Sequence, residues 1–249
     1  MLNELENIIK VTRTTNSVLK ELASDRFSLC LDKKHFLNYK KEITYKFNKH
    51  GYRDDAWPAD LKDVVWCLGD SATMGVGQTF DEAWPRMLQN KIKKRCLNIG
   101  QEGCSNDTIR MRAEFIYRNY KPKNMIVMWS YFHRRRVNGK DVHSDKSSFG
   151  VEADCKNFAY NFTQVEKLNS NVVHFIVPDA FIDFTQNKPI SWEYIFTKFK
   201  LPGKEHIKKI NMFTHIDFGR DSIHFGRLTS EYICGIIKKQ LALTNAINQ

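Results

Sequence analysis

Asp63-Val-Val-Trp-Cys-Leu-Gly-Asp-Ser71 is the stretch on which the reading of this chain turns. After one acid comes a short unbroken apolar run that stops at Gly69. Such a run suits a strand buried on both faces of a parallel sheet, because a half-exposed strand would alternate. Glycine at its end allows a tight turn, which presents the Ser71 hydroxyl at the carboxyl edge of the sheet.

Runs of the same kind follow at 95–99, 125–130, 172–178 and 212–218, separated by helical patterns at 83–93, 106–120 and 152–168. A last helical pattern, 229–243, closes the chain. Strands alternating with helices predict an α/β fold, a three-layer α/β/α sandwich around a five-stranded, mainly parallel sheet with right-handed crossovers. Upstream, Leu2, Leu5, Ile8, Ile9, Val18, Leu19 and Leu22 follow a partial helical period and predict an amphipathic helix. Residues 27–62 read as an irregular basic and aromatic lead-in with a short strand near 43–47. The expected division is therefore 1–55, helix and lead-in packing on the core, and 56–249, the α/β domain.

A chain of 249 residues, 42% hydrophobic, has the material for one large domain and excludes a disordered tail or a collagen-like chain. Lys and Arg number 39 against 28 acids, a net charge of +11, which attracts anionic partners without choosing among them. Nucleic acid is the weakest of these, since no nucleic-acid motif accompanies the charge. Six cysteines stand far apart with no C-x-x-C pair, so neither a zinc site nor a redox couple is expected, and no metal. The N-terminus carries acids where a signal peptide carries bases, and no apolar run reaches the roughly 18 residues of a membrane helix. A soluble, reducing, cytoplasmic setting is expected.

In doubly wound sheets ligands collect beyond the carboxyl ends of the strands, here 69–77, 100–107, 130–139, 179–203 and 219–226. The first, Gly69-Asp-Ser-Ala-Thr-Met-Gly-Val-Gly77, lacks the G-x-G-x-x-G spacing and any G-K-[ST], so it does not read as a nucleotide cradle. The last holds Asp221-Ser-Ile-His224-Phe-Gly226, in which an acid and a histidine three residues apart can face one side of a turn. Together they allow a Ser71, His224, Asp221 triad. Taken singly, Ser71 also reads as a helix cap and the D-x-x-H stretch as a helix-entry turn.

Gly-Asp-Ser after the first strand, Asn98-Ile-Gly-Gln-Glu-Gly103 after the second, and D-x-x-H before the last helix together resemble the SGNH hydrolases, also called GDSL esterases. Asn48-Lys-His-Gly-Tyr-Arg53 and Trp84-Pro85 are similar to family members too, and the resemblance spans roughly residues 48 to 240. It implies a flavodoxin-like sandwich, with Ser71 as nucleophile, His224 as general base then acid, and Asp221 as the orienting carboxylate. Asp70 would support the serine turn and border the substrate. Backbone N–H groups of Ser71 and Gly103 would form the oxyanion hole.

The third block departs from the family's G-x-N-D: the text is Met128-Trp-Ser-Tyr-Phe-His-Arg134, without an Asn. Asn106 is the expected substitute donor, or else a helix cap. Trp129 and Arg134 are expected at the substrate, Arg134 with Arg135 and Arg136 forming either an anion clamp or a solvated charge run. Aromatics in 179–203 suit a lid that stacks on sugars, or core packing. The leading expectation is an esterase removing a small acyl group, most simply acetyl, from a carbohydrate or related small-molecule alcohol, without cofactor. The alternatives are a catalytically weak binding protein for an anionic glycan or other acidic partner and, last, a nucleic-acid binder.

Overall fold

The computed structural model describes residues 18–22, 42–142, 150–168, 170–176, 182–183, 188–189, 210–212, 216–219 and 224–247. In chain order the strands are β1 (Val18–Leu22), β2 (Glu42–Lys46), β3 (Val65–Gly69), β4 (Cys96–Gly100), β5 (Asn124–Trp129), β6 (Arg135–Val137), β7 (Lys140–Val142), β8 (Asn171–Ile176), β9 (Ile182–Asp183), β10 (Lys188–Pro189) and β11 (Ile210–Met212). The helices are α1 (Ser71–Met74), α2 (Trp84–Ile92), α3 (Asn106–Tyr120), α4 (Val151–Glu166) and α5 (Arg227–Ile247).

The central sheet runs β11-β8-β5-β3-β4 with every pair parallel. Four strands have five or six residues and the edge strand β11 has three. In chain order this is the 2-1-3-4-5 winding of flavodoxin-like folds, whose connections diverge between β3 and β5. The carboxyl ends of those two strands, at Ser71 and Ser130, therefore flank the crevice such a winding opens.

Continuous apolar runs form these strands because both faces are covered. Successive residues of β3 point to opposite faces. Trp66 stacks on Tyr120 of α3, with ring centroids 5.2 Å apart, whereas Cys67 lies with Cys96 and with Cys234 of α5. Helices α3 and α4 pack together, as do α2 and α5. The two pairs are the outer layers of the sandwich. Cys67, Cys96, Cys104, Cys155 and Cys234 are buried free thiols, and burial pushes Cys104 and Cys234 up to about 12. They behave as small apolar residues. No helix among the described residues is long and apolar enough to cross a membrane.

Two expectations are corrected. Val18–Leu22 is not helical: it is a strand paired antiparallel with β2, Val18 opposite Lys46 and Leu22 opposite Glu42. Val18, Leu19 and Leu22 sit at helical spacing, but over five residues that spacing is weak evidence, and pairing with β2 decides it. Residues 1–17, the rest of that expected helix, lie outside the described residues, as do 179–181, 184–187 and 190–203 of the expected lid. The fifth sheet strand ends at Met212 rather than reaching Phe218. Ile216 and Phe218 are exposed, while Asp217 turns inward to cap α5.

The lead-in is built into the core. Asn48 Oδ1 accepts from the N–H groups of His50 and Tyr52, folding 48–52 into a compact turn. Ile43, Tyr45 and Phe47 then pack with Met74 and Val76, directly beneath the serine turn. Asp54 follows, with the Arg95 guanidinium at 2.9 Å and the Asn98 N–H at 3.2 Å. Burial nevertheless dominates and pushes its carboxyl up to about 6.

Because the folded state holds the Asp54 proton more tightly than the unfolded chain, its contribution favours folding at low pH and is lost as pH rises through about 6. The cost fully present at neutral pH is about 3 kcal/mol at 1.36 kcal/mol per pKa unit. Asp54→Asn should therefore gain stability relative to the wild type between pH 4 and pH 7 in urea unfolding; parallel stability curves would refute this role.

Candidate active site

Ser71 opens α1, a single helical turn of four buried residues that leaves β3 directly. Asp70 caps it, its Oδ1 accepting from the Ala72 N–H at 3.0 Å. One turn leaves most of its own carbonyls without helical partners. Arg53, 1% exposed, supplies donors: Nη1 to Gly75 O at 2.5 Å and Met74 O at 3.4 Å, and Nη2 to Gln78 O at 2.7 Å. The guanidinium lies 4.2 Å over the Tyr45 ring, and Tyr45 Oη accepts from the Gly77 N–H. Gly100, ending β4, is required here, since a Cβ at that position would fall on the backbone of Thr73 and Met74.

His224 comes from the far end of the chain. Asp217 fixes its segment, accepting from the N–H groups of Leu228 and Thr229 and so capping α5. Phe218 and Phe225 form an isolated antiparallel bridge, with the Gly219 N–H donating to His224 O at 2.7 Å. There His224 Nε2 stands 2.7 Å from Ser71 Oγ, across 153 positions of sequence. Ser71 is 5% exposed. Asp221 lies outside the described residues.

The second block, 98–104, borders the same turn. Arg112 of α3 holds it, with Nη1 toward Ile99 O and Cys104 Sγ and Nη2 bonded to Gln101 Oε1. Gly103, at φ +70°, has an N–H that donates to no group among the described residues.

The third block is organised by Asn106 and Asp70. Asn106 Nδ2 donates to Ser130 O at 3.2 Å and Tyr131 O at 3.0 Å, and its Oδ1 accepts from the Ser130 N–H. Both amide protons are thus engaged, and the expected oxyanion donor is instead the pin of the β5 loop. Its helix-capping reading fails too: the α3 cap is Ser105. Asp70 Oδ2 accepts from Ser130 Oγ at 2.5 Å and Arg134 Nη1 at 2.9 Å. The carboxylate expected to touch substrate is 1% exposed and ties the serine turn to the third block.

The arginine run is neither clamp nor solvated face. Besides the Arg134 pair, Arg135 Nε meets Asp154 Oδ1 at 2.7 Å, and Arg136 Nη1 donates to Thr108 Oγ1 at 3.1 Å. Arg135 and Arg136 open β6, whose partner strand β7 carries Asp141 to the Ser105 and Thr108 hydroxyls. Trp129, expected at the substrate, is wholly buried: it packs on Phe158 and Phe162, and its Nε1 donates to His174 Nδ1 at 3.0 Å. An indole N–H only donates, so that ring nitrogen is the acceptor and His174 Nε2–H donates to Glu166 Oε1 at 2.6 Å. No group of three or more metal-ligating side chains occurs among the described residues.

Sequence reading missed Gln78, Tyr45 and Arg112 as parts of the site. Only Arg53, inside the quoted lead-in, carried a signal; the others act through contacts that spacing does not encode.

No family model and no curated protein matches the sequence. Solved structures similar to the chain include a lipolytic protein of the G-D-S-L family from Veillonella parvula, at 14% identity and TM-score 0.47 over 69% of this chain and 93% of that one. The psychrotrophic esterase EstA from Pseudoalteromonas sp. is similar at 14% identity and TM-score 0.49, over 75% and 100% of the two chains. The lipase/acylhydrolase from Enterococcus faecalis is similar at 12% identity and TM-score 0.44, over 72% and 95%.

Breaking a buried ion pair from one side strands the other charge, at about 3–5 kcal/mol. Asp70→Asn should thus lower the melting temperature by roughly 6–20 °C, taking about 2–4 °C per kcal/mol at this chain length. Adding Arg134→Met should restore part of that loss. Strictly additive losses in the double variant would show that the pair is not coupled.

Proposed function

We propose that the chain is a serine esterase that removes a small acyl group, acetyl first among candidates, from an alcohol such as a sugar hydroxyl. The observation that carries this reading is the 2.7 Å contact between Ser71 Oγ and His224 Nε2 at the carboxyl edge of a flavodoxin-wound sheet. A hydroxyl at a helix start and an imidazole within hydrogen-bond reach are the nucleophile and base of acyl transfer.

In the proposed reaction His224 Nε2 takes the Ser71 proton as Oγ attacks the ester carbonyl carbon. The oxyanion so formed faces the N–H groups of Ser71 and Gly103. Collapse breaks the bond to the alkoxy oxygen, which leaves as alcohol with the proton from His224. Water then repeats the sequence on the acyl-enzyme, with His224 again accepting and returning one proton, and releases the acid. Asp221 is the proposed carboxylate behind the imidazole. No cofactor enters these steps.

A second reading, a binding cleft of low turnover, is favoured by one observation, the engagement of both Asn106 amide protons in the third block. Loss of a single oxyanion donor lowers kcat by about 10²–10³-fold. The internal pairing of Arg134 and Arg135 removes the anion clamp that would have supported it further.

The decisive experiment is labelling by a fluorophosphonate alongside hydrolysis of p-nitrophenyl acetate. The wild type should be labelled at Ser71 and turn over the ester. Ser71→Ala should do neither, and His224→Ala should retain no more than about 10⁻³ of the rate. An unlabelled wild type, or a Ser71→Ala variant with undiminished hydrolysis, would sink the esterase reading.

A further inference from the structure

Ser71 and His224 meet along a short seam between their two loops. Gly219 approaches Gly77 so closely that a Cβ at 219 would lie 2.9 Å from the Gly77 carbonyl oxygen. Beside this contact stands Gln78, 1% exposed. Its Nε2 donates to Phe225 O at 2.6 Å and to Ser230 Oγ at 3.0 Å. Its backbone belongs to the serine turn, with the N–H donating to Gly75 O at 3.2 Å and the carbonyl accepting from Arg53 Nη2 at 2.7 Å. Gln78 is therefore part of the nucleophile turn by its main chain and of the histidine loop by its side chain. Phe225 is the residue immediately after His224, and Ser230 lies in the first turn of α5.

We infer that Gln78 is a positioning residue that sets the approach of His224 to Ser71, an inference that rests on the esterase reading. The carbonyl it binds is one peptide away from the imidazole's own Cα, so this hydrogen bond fixes where the ring starts. A glutamine suits the place because its two N–H protons serve two oxygens. An apolar residue would remove the hydrogen bond to the Phe225 carbonyl and loosen its hold on the position of His224, at about 1–3 kcal/mol for a buried hydrogen bond lost from one side. A displacement of the reacting groups by about 1 Å is enough to cost on the order of 10²-fold in rate.

The test is a double-mutant cycle. Gln78→Met keeps the length of the side chain and removes both N–H donors. Fluorophosphonate labelling at Ser71, together with kcat and KM for p-nitrophenyl acetate, is measured in the wild type, Gln78→Met, His224→Ala and the double variant. Alone, Gln78→Met should lower kcat and the labelling rate by about 10–100-fold while KM stays within about two-fold. In the His224→Ala background it should cost less than about two-fold, because its effect passes through the imidazole. A side chain that merely stabilises the fold would cost the same in both backgrounds. Equal losses, or no loss beside an intact His224, overturn the inference and leave the esterase reading standing; failure of the wild type to label overturns both. Gln78→Glu, which keeps the shape and replaces the donor with an acceptor, carries the same comparison where Gln78→Met melts too low to assay.

Discussion

The Arg53 guanidinium is the interaction on which the serine turn depends. A one-turn helix cannot satisfy its own backbone, and α1 is buried, so water cannot do so either. The carbonyls of Met74, Gly75 and Gln78 find their donors on a single side chain from the lead-in, which is itself braced against the Tyr45 ring. The segment before the sheet is thus part of the scaffold of the serine turn. Its aromatic strand β2 lies under Met74 and Val76, and its arginine closes the turn that aims Ser71.

Electrostatics bind the site's blocks to one another. Asp70 joins the serine turn to the third block through Ser130 and Arg134, while Arg112 secures the second block to α3. Charges that in isolation suggest binding to an outside anion are used to hold loops together. Desolvation makes such pairs costly to break from one side and only modestly stabilising when whole, which favours a single arrangement of the loops. The same accounting places Asn106, whose amide is committed to fastening the β5 loop.

Where sequence reading succeeded, the physics was local. The runs that became β3, β4, β5 and β8 are mostly apolar because both faces are covered, with Asn98 and His174 as buried polar exceptions, and the pattern of α3 carried its observed span, Asn106–Tyr120. Where it failed, a distant partner decided. Val18–Leu22 is a strand because β2 lies beside it, and residues 216–218 leave the sheet because Asp217 caps α5. Trp129 at the end of a strand and Arg134 just after it looked available to a ligand. One is instead filled in by α4 and the other by Asp70.

By itself, then, the order of residues determined the alternation of strands and helices and the two short motifs that carry a hydroxyl and an imidazole. These follow from burial patterns and turn chemistry within a few residues of each other. Only the tertiary structure decided that Ser71 and His224 touch, that Arg53 and Gln78 hold them there, and that the arginine run is paired within the chain. Each of these depends on hydrogen bonds between groups 19 to 153 positions apart, and their geometry exists only once the sheet has brought the segments together.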